Sequence, residues 1–162
     1  MKIRENKHNY TNDPSRKILR VIKDIRIKKY STERPIYLGE TENRILSFAN
    51  KNKIEVSSEG MYITSEQIAH TFRDIKVQNG IVIPAQSLIS FYQNYKEMNL
   101  YYDKNKKNFV YTNGTEKFIV HPNYQIKVQD SQGKRLKKSV VNYITASTTN
   151  GLEFNQKNYI KI

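Results

Sequence analysis

Three histidines, His8, His70 and His121, are the side chains of this 162-residue chain whose ordinary pKa falls near neutrality. They stand among 28 Lys and Arg set against 15 Asp and Glu, a formal net charge of +13. A charge of that size draws in polyanions before any specific contact forms. One chemistry that such residues support is cleavage of RNA without a metal. The 2′-hydroxyl attacks the adjacent phosphate, a near-neutral group moves protons, and fixed cations take up the charge of the phosphorane. His70 has Arg73 one helical turn away, and a neighbouring carboxylate would raise its pKa. An exposed His beside an Arg is also a common surface arrangement. His121 precedes Pro122 at the end of an expected strand, where a turn role competes with a chemical one. His8 lies in a polar stretch without periodicity.

Metal chemistry has a weaker pattern. Glu66, His70 and Asp74 stand at i, i+4 and i+8, which on one helix face could hold a divalent cation if another element added ligands. The same spacing is that of surface ion pairs. No HxH, DxD or HExxH accompanies it, and no metal is assigned. Cysteine is absent, which removes disulfides, thiolate nucleophiles and Cys-ligated metals. No Gly-rich phosphate loop occurs among the 6 Gly, so no nucleotide cofactor is expected. No apolar run approaches the about 20 residues of a membrane-spanning helix.

Simple binding is the third possibility. Lys134, Arg135, Lys137 and Lys138 form a basic cluster, and Tyr101, Tyr102, Tyr111 and Tyr143 could stack bases. Basic residues with aromatics make a nucleic-acid footprint that does not by itself imply cleavage. A charge run is also often a solvated loop.

The elements that must position these residues follow from periodicity. Asp13-Pro14 starts a helix over 14–28, in which Ile18, Leu19, Ile22 and Ile25 recur among basic residues. A strand is expected at 35–38 and a short helix at 41–50. Ile54–Val56 and Met61–Ile63 suggest a hairpin. Thr64 and Gln67 form a capping box, and the helix it opens runs to about residue 74. Its Ile68, Phe72 and Ile75 face a core, with His70 and Arg73 opposite. Another helix follows Pro84. Short alternating segments then run to the end, with Asn113-Gly114 a hairpin turn. Helices first and an antiparallel meander second make an α+β domain.

Period 2 sorts the strands. Phe118 and Val120 oppose Lys117, Ile119 and His121. Val140, Ile144 and Ala146, with Asn142 on their face, oppose Val141, Tyr143, Thr145 and Ser147. The face carrying Lys117, His121, Lys127, Tyr143, Thr145 and Ser147 suits a phosphodiester. It equally suits an antiparallel sheet with one side in water.

Pro35-Ile36-Tyr37-Leu38 ahead of helices, His70-x-x-Arg73, Tyr143-Ile144-Thr145-Ala146-Ser147 and the closing Phe154…Tyr159-Ile160-Lys161-Ile162 resemble the barnase–EndoU–colicin–RelE-like (BECR) nuclease superfamily. The similarity is to its phage polyvalent-protein branch in particular. It covers 34–162 as a nuclease domain and leaves 1–33 as a basic arm and amphipathic helix. It implies N-terminal helices packed on a C-terminal antiparallel sheet of about four strands. It also implies a metal-independent endoribonuclease, a toxin or phage-borne effector acting in the cytoplasm. On that basis His70 is the candidate acid/base, Arg73 stabilises phosphate charge, and Thr145 and Ser147 contact the scissile phosphate. Lys117, His121, Lys127, Tyr143 and the cluster Lys134, Arg135, Lys137 and Lys138 would bind substrate, and no cofactor is needed. The implied partners are RNA, with DNA as the alternative, and an immunity or antitoxin protein. The rival readings are a non-catalytic nucleic-acid-binding or phage structural protein, and a metal-dependent nuclease. No second catalytic carboxylate can be identified, and His70 and His121 stay in competition.

Overall fold

A computed structural model describes residues 13–162. His8 and the arm before residue 13 lie outside the described residues. Helix α1 is Pro14–Lys28, with the Asp13 carboxylate accepting from the Ser15 amide at 3.0 Å and Pro14 in the first turn. Strand β1 (Ile36–Gly39) and helix α2 (Asn43–Asn52) follow, then β2 (Met61–Ile63). Helices α3 (Ser65–Thr71), α4 (Asp74–Gln78) and α5 (Ala85–Asn94) come next, the last continuing into a 3₁₀ turn at Tyr95–Glu97. The chain closes with β3 (Asn99–Asp103), β4 (Asn108–Thr112), β5 (Glu116–Gln129), β6 (Arg135–Thr148) and β7 (Tyr159–Lys161).

The fold is α+β, but the sheet has seven strands rather than about four, in the order β1-β2-β6-β5-β4-β3-β7. All pairs are antiparallel except β2 with β6. The helices are not all N-terminal, because β1 and β2 are threaded between them. The expected hairpin at 54–63 does not form. Only its second half is a strand, and it pairs with β1 and β6 instead. The turn at Asn113 is as expected: its side-chain oxygen accepts from the Thr115 and Glu116 amides and joins β4 to β5.

One core lies between the helices and a single sheet face. Phe91 of α5 stacks on Phe118 with ring centroids 4.6 Å apart, and Tyr111 and Tyr143 pack around the pair. Ile18, Val21 and Ile22 of α1 bury in the same cluster, so no break in the core falls at residue 33. The other end of α5 is tied down by Arg44. Its guanidinium forks onto the buried Glu42 carboxylate at 2.6 and 2.8 Å and donates to the Met98 carbonyl at 2.8 Å.

Candidate nucleic-acid interface and cationic cluster

The helix expected over 64–74 breaks at Phe72 and Arg73, whose backbones leave the helical region, and α4 restarts on a new axis. The break sends Ile75 outward, 48 % exposed, against the expectation that it faces the core. It also means that Glu66, His70 and Asp74 do not share one helix. Among the described residues no group of three metal-ligating side chains comes together.

The restart turns Lys76 inward. β2 pairs β6 only at Val141 and Asn142, so the edge of β6 beyond them is open to α4. Lys76 Nζ donates to the Ala146 carbonyl at 2.7 Å on that edge, and to Thr145 Oγ1. Burial, reinforced by the charges of Arg73 and Lys117, pushes Lys76 down to about 8. Lys117 lies on β5 opposite Ser147, and Ile119 lies opposite Thr145. Directly paired residues point to the same face, so Lys117, Thr145 and Ser147 share the face turned away from the core. Lys117 is held by Glu153 at 2.7 Å. Burial would raise that carboxyl, but the Lys117 and Thr149 hydrogen bonds outweigh it and keep Glu153 below its usual range. Lys76 thus sits on the Thr145 hydroxyl, near enough to Arg73 and Lys117 to feel both charges, while Glu153 pairs with Lys117. Arg73 is exposed and forms no ion pair among the described residues.

Several expected site residues fall elsewhere. Tyr143 is not on the polar face: it is fully buried, bonded through its hydroxyl to Thr71 Oγ1 and packed near Phe91. The cause is a β-bulge. Ile119 opposes Thr145 while Val120 opposes Tyr143, so Ile144 is the extra residue and the alternation slips by one. Tyr143 and Ala146 therefore both face the core, with Thr145 and Ser147 opposite. Tyr111 is likewise buried, and Tyr102 packs against Phe48 and Phe109. His121 lies within β5 at a second bulge rather than at a strand end. Its Nδ1 accepts from the Asn123 amide at 3.0 Å, and burial lowers its pKa. His70 is exposed and makes no hydrogen bond or ion pair among the described residues. Lys76 is the residue that sequence reading missed.

The remaining cations sit on a different structure. Beyond Tyr124 and Val140, strands β5 and β6 pair only with each other, as a two-stranded ribbon closed by the turn at Asp130. Lys134, Arg135, Lys137 and Lys127 are exposed on it, with Lys127 directly opposite Lys137. Like charges paired across a ladder destabilise it, and a polyanion relieves that cost. Replacing Lys134, Arg135, Lys137 and Lys138 together by Ala should flatten the plot of log affinity for single-stranded RNA against log salt by about three, at about 0.7 per phosphate. An unchanged slope measured by titration would assign the ribbon to something else.

Compared with protein-family models, curated proteins and solved structures, the chain matches none. No helix among the described residues is long and apolar enough to cross a membrane.

Proposed function

We propose that this protein is a metal-independent endoribonuclease, an effector acting on cytoplasmic RNA, whose scissile phosphate is held by Arg73, Lys76 and Lys117. The observation that carries the reading is Lys76 Nζ seated on Thr145 Oγ1 and the Ala146 carbonyl, pushed down to about 8 by burial and by the charges of Arg73 and Lys117. The charges of Arg73 and Lys117 disfavour the Lys76 ammonium, and a phosphodiester offsets them. Lys76 is charged below about pH 8 and is a donor whose pKa suits proton transfer to a leaving 5′-oxygen, while the proton of the attacking 2′-hydroxyl passes to solvent water. Arg73 and Lys117 supply charge that stabilises the phosphorane, and Thr145 orients the Lys76 ammonium. His70, on the preceding helix, is the alternative proton carrier. The basic ribbon favours the second reading, a protein that binds nucleic acid without cutting it, because its charges need no reaction to account for them.

Incubation with total RNA in EDTA separates the two. The nuclease reading expects fragments ending in 2′,3′-cyclic phosphate; intact RNA that co-migrates with protein supports binding alone. Thr145→Val should still fold, because Val suits a strand, at a cost of about 1–3 kcal/mol because the buried Lys76 ammonium keeps only the Ala146 carbonyl. It should lower cleavage by about tenfold or more, since Lys76 loses the acceptor that aims it. Full activity in that variant would remove the hydroxyl from the site.

A further inference from the structure

Strand β2 places Tyr62 beside Tyr37 on one side and Asn142 on the other, and Asn142 is paired in turn with His121. Register puts this row on the same outer face as Thr145, Ile119 and Lys117. The Tyr37 and Tyr62 rings lie 5.2 Å apart, and Tyr37 is 47 % exposed. Their placement is built in. A Cβ on Gly60, at φ +89°, would lie 2.6 Å from Tyr37 Cε1 and 2.9 Å from the Gly39 carbonyl, so only glycine lets the ring rest there. Lys138 stands over the Tyr62 ring at 5.3 Å and donates to its hydroxyl at 3.2 Å, while pairing with Glu59 at 3.3 Å. Next to Tyr62 opens a cleft of about 440 Å³ lined by Arg34, Lys127 and Arg135, with no acidic residue among its lining.

We infer that Tyr37 and Tyr62 form a stacking platform for unpaired bases, and that the Arg34–Lys127–Arg135 cleft beside Tyr62 holds the backbone of the same strand, so that the substrate is single-stranded RNA. Exposed rings bordered by cations are how single strands are held without sequence readout, because every base offers a π-face. A duplex keeps its bases stacked on each other and cannot use the rings. The inference rests on the reading of this protein as one that acts on RNA, but its binding can be measured without cleavage.

The test uses a fluorescent 2′-O-methyl oligouridylate of about ten nucleotides, within the range of known single-strand sites. It cannot be cleaved through a 2′-hydroxyl. Anisotropy titrations compare it with its duplex on a 2′-O-methyl oligoadenylate. The single strand should bind at least about tenfold more tightly. Tyr62→Leu should weaken it about tenfold with the salt slope unchanged, and Tyr62→Phe should bind as the wild type does. Tyr37→Leu, altering the more exposed ring, repeats the measurement in case the Tyr62 variant unfolds. Equal affinity for duplex and single strand, or wild-type binding by both folded Leu variants, overturns the inference. Binding that follows this pattern without any cleavage of ordinary RNA upholds the platform and counts against the proposed nuclease activity instead.

Discussion

Lys76→Met should lower RNA cleavage by about 10²-fold or more while leaving the protein at least as stable as the wild type at neutral pH. Both halves come from the same environment. Burial and the charges of Arg73 and Lys117 disfavour the ammonium, so its pKa falls to about 8 from an ordinary 10.5. Between those two values the unfolded chain holds a proton that the folded protein has released. Wild-type stability should therefore rise as pH climbs from about 8 toward the ordinary lysine range, and the full cost of the buried charge is carried below 8. Methionine removes that cost, which separates lost chemistry from lost folding. The wild-type kcat/KM should fall above about pH 8 as Lys76 gives up its proton. In Lys76→Arg, which stays charged but does not give up its proton, cleavage should fall well below wild type and the residual activity should lack that limb. His70→Ala should cost much less than Lys76→Met. The opposite order, with both variants folded, would hand proton transfer to His70.

Tyr143→Ala should destabilise the fold by about 3–5 kcal/mol, the usual cost of deleting a fully buried aromatic ring. It removes the ring packed near Phe91 and leaves Thr71 Oγ1 with only the Gln67 carbonyl. Equilibrium denaturation measures it, and a change under about 1 kcal/mol would mean that Tyr143 lies on the outer face after all. Two residues along the strand, Thr145→Val should move the same curve less, because it deletes one hydrogen bond to Lys76 and no core packing. The contrast tests the bulge at Ile144 directly, since without it Tyr143 and Thr145 would share a face.

That bulge marks where the sequence stops being legible. Alternation in 139–147 correctly opposes Ala146 to Thr145 and Ser147, because those residues lie on one side of the bulge. It misplaces Tyr143, because nothing in Tyr-Ile-Thr announces an extra residue whose position is set by the facing strand. The start of α1 is written locally, in Asp13-Pro14, and was readable. The break between α3 and α4 is not: Ile68, Phe72 and Ile75 keep a helical period across it, and only the approach of α4 to the open edge of β6 makes Lys76 rather than Ile75 the inward residue. The cluster was therefore half visible. Arg73, Thr145, Ser147 and Lys117 were named from type and period, whereas Lys76 emerges only when helix and strand are brought together. The ribbon was hidden for another reason. Lys-Arg-Leu-Lys-Lys is a poor strand by propensity, and it is held extended by its register with Tyr124–Gln129. Most strand-forming segments could be read from alternation, while the count of about four came from the resemblance.

The most direct measurement uses a DNA oligonucleotide carrying one ribonucleotide, incubated with the wild-type protein in EDTA. If the cluster catalyses attack by a 2′-hydroxyl, the strand is cut only on the 3′ side of that ribonucleotide, the 5′ fragment ends in a 2′,3′-cyclic phosphate, and Lys76→Met leaves the strand whole. An uncut strand that the protein nevertheless binds, or equal cutting of an all-deoxy strand, would contradict the assignment of Arg73, Lys76 and Lys117 to RNA cleavage.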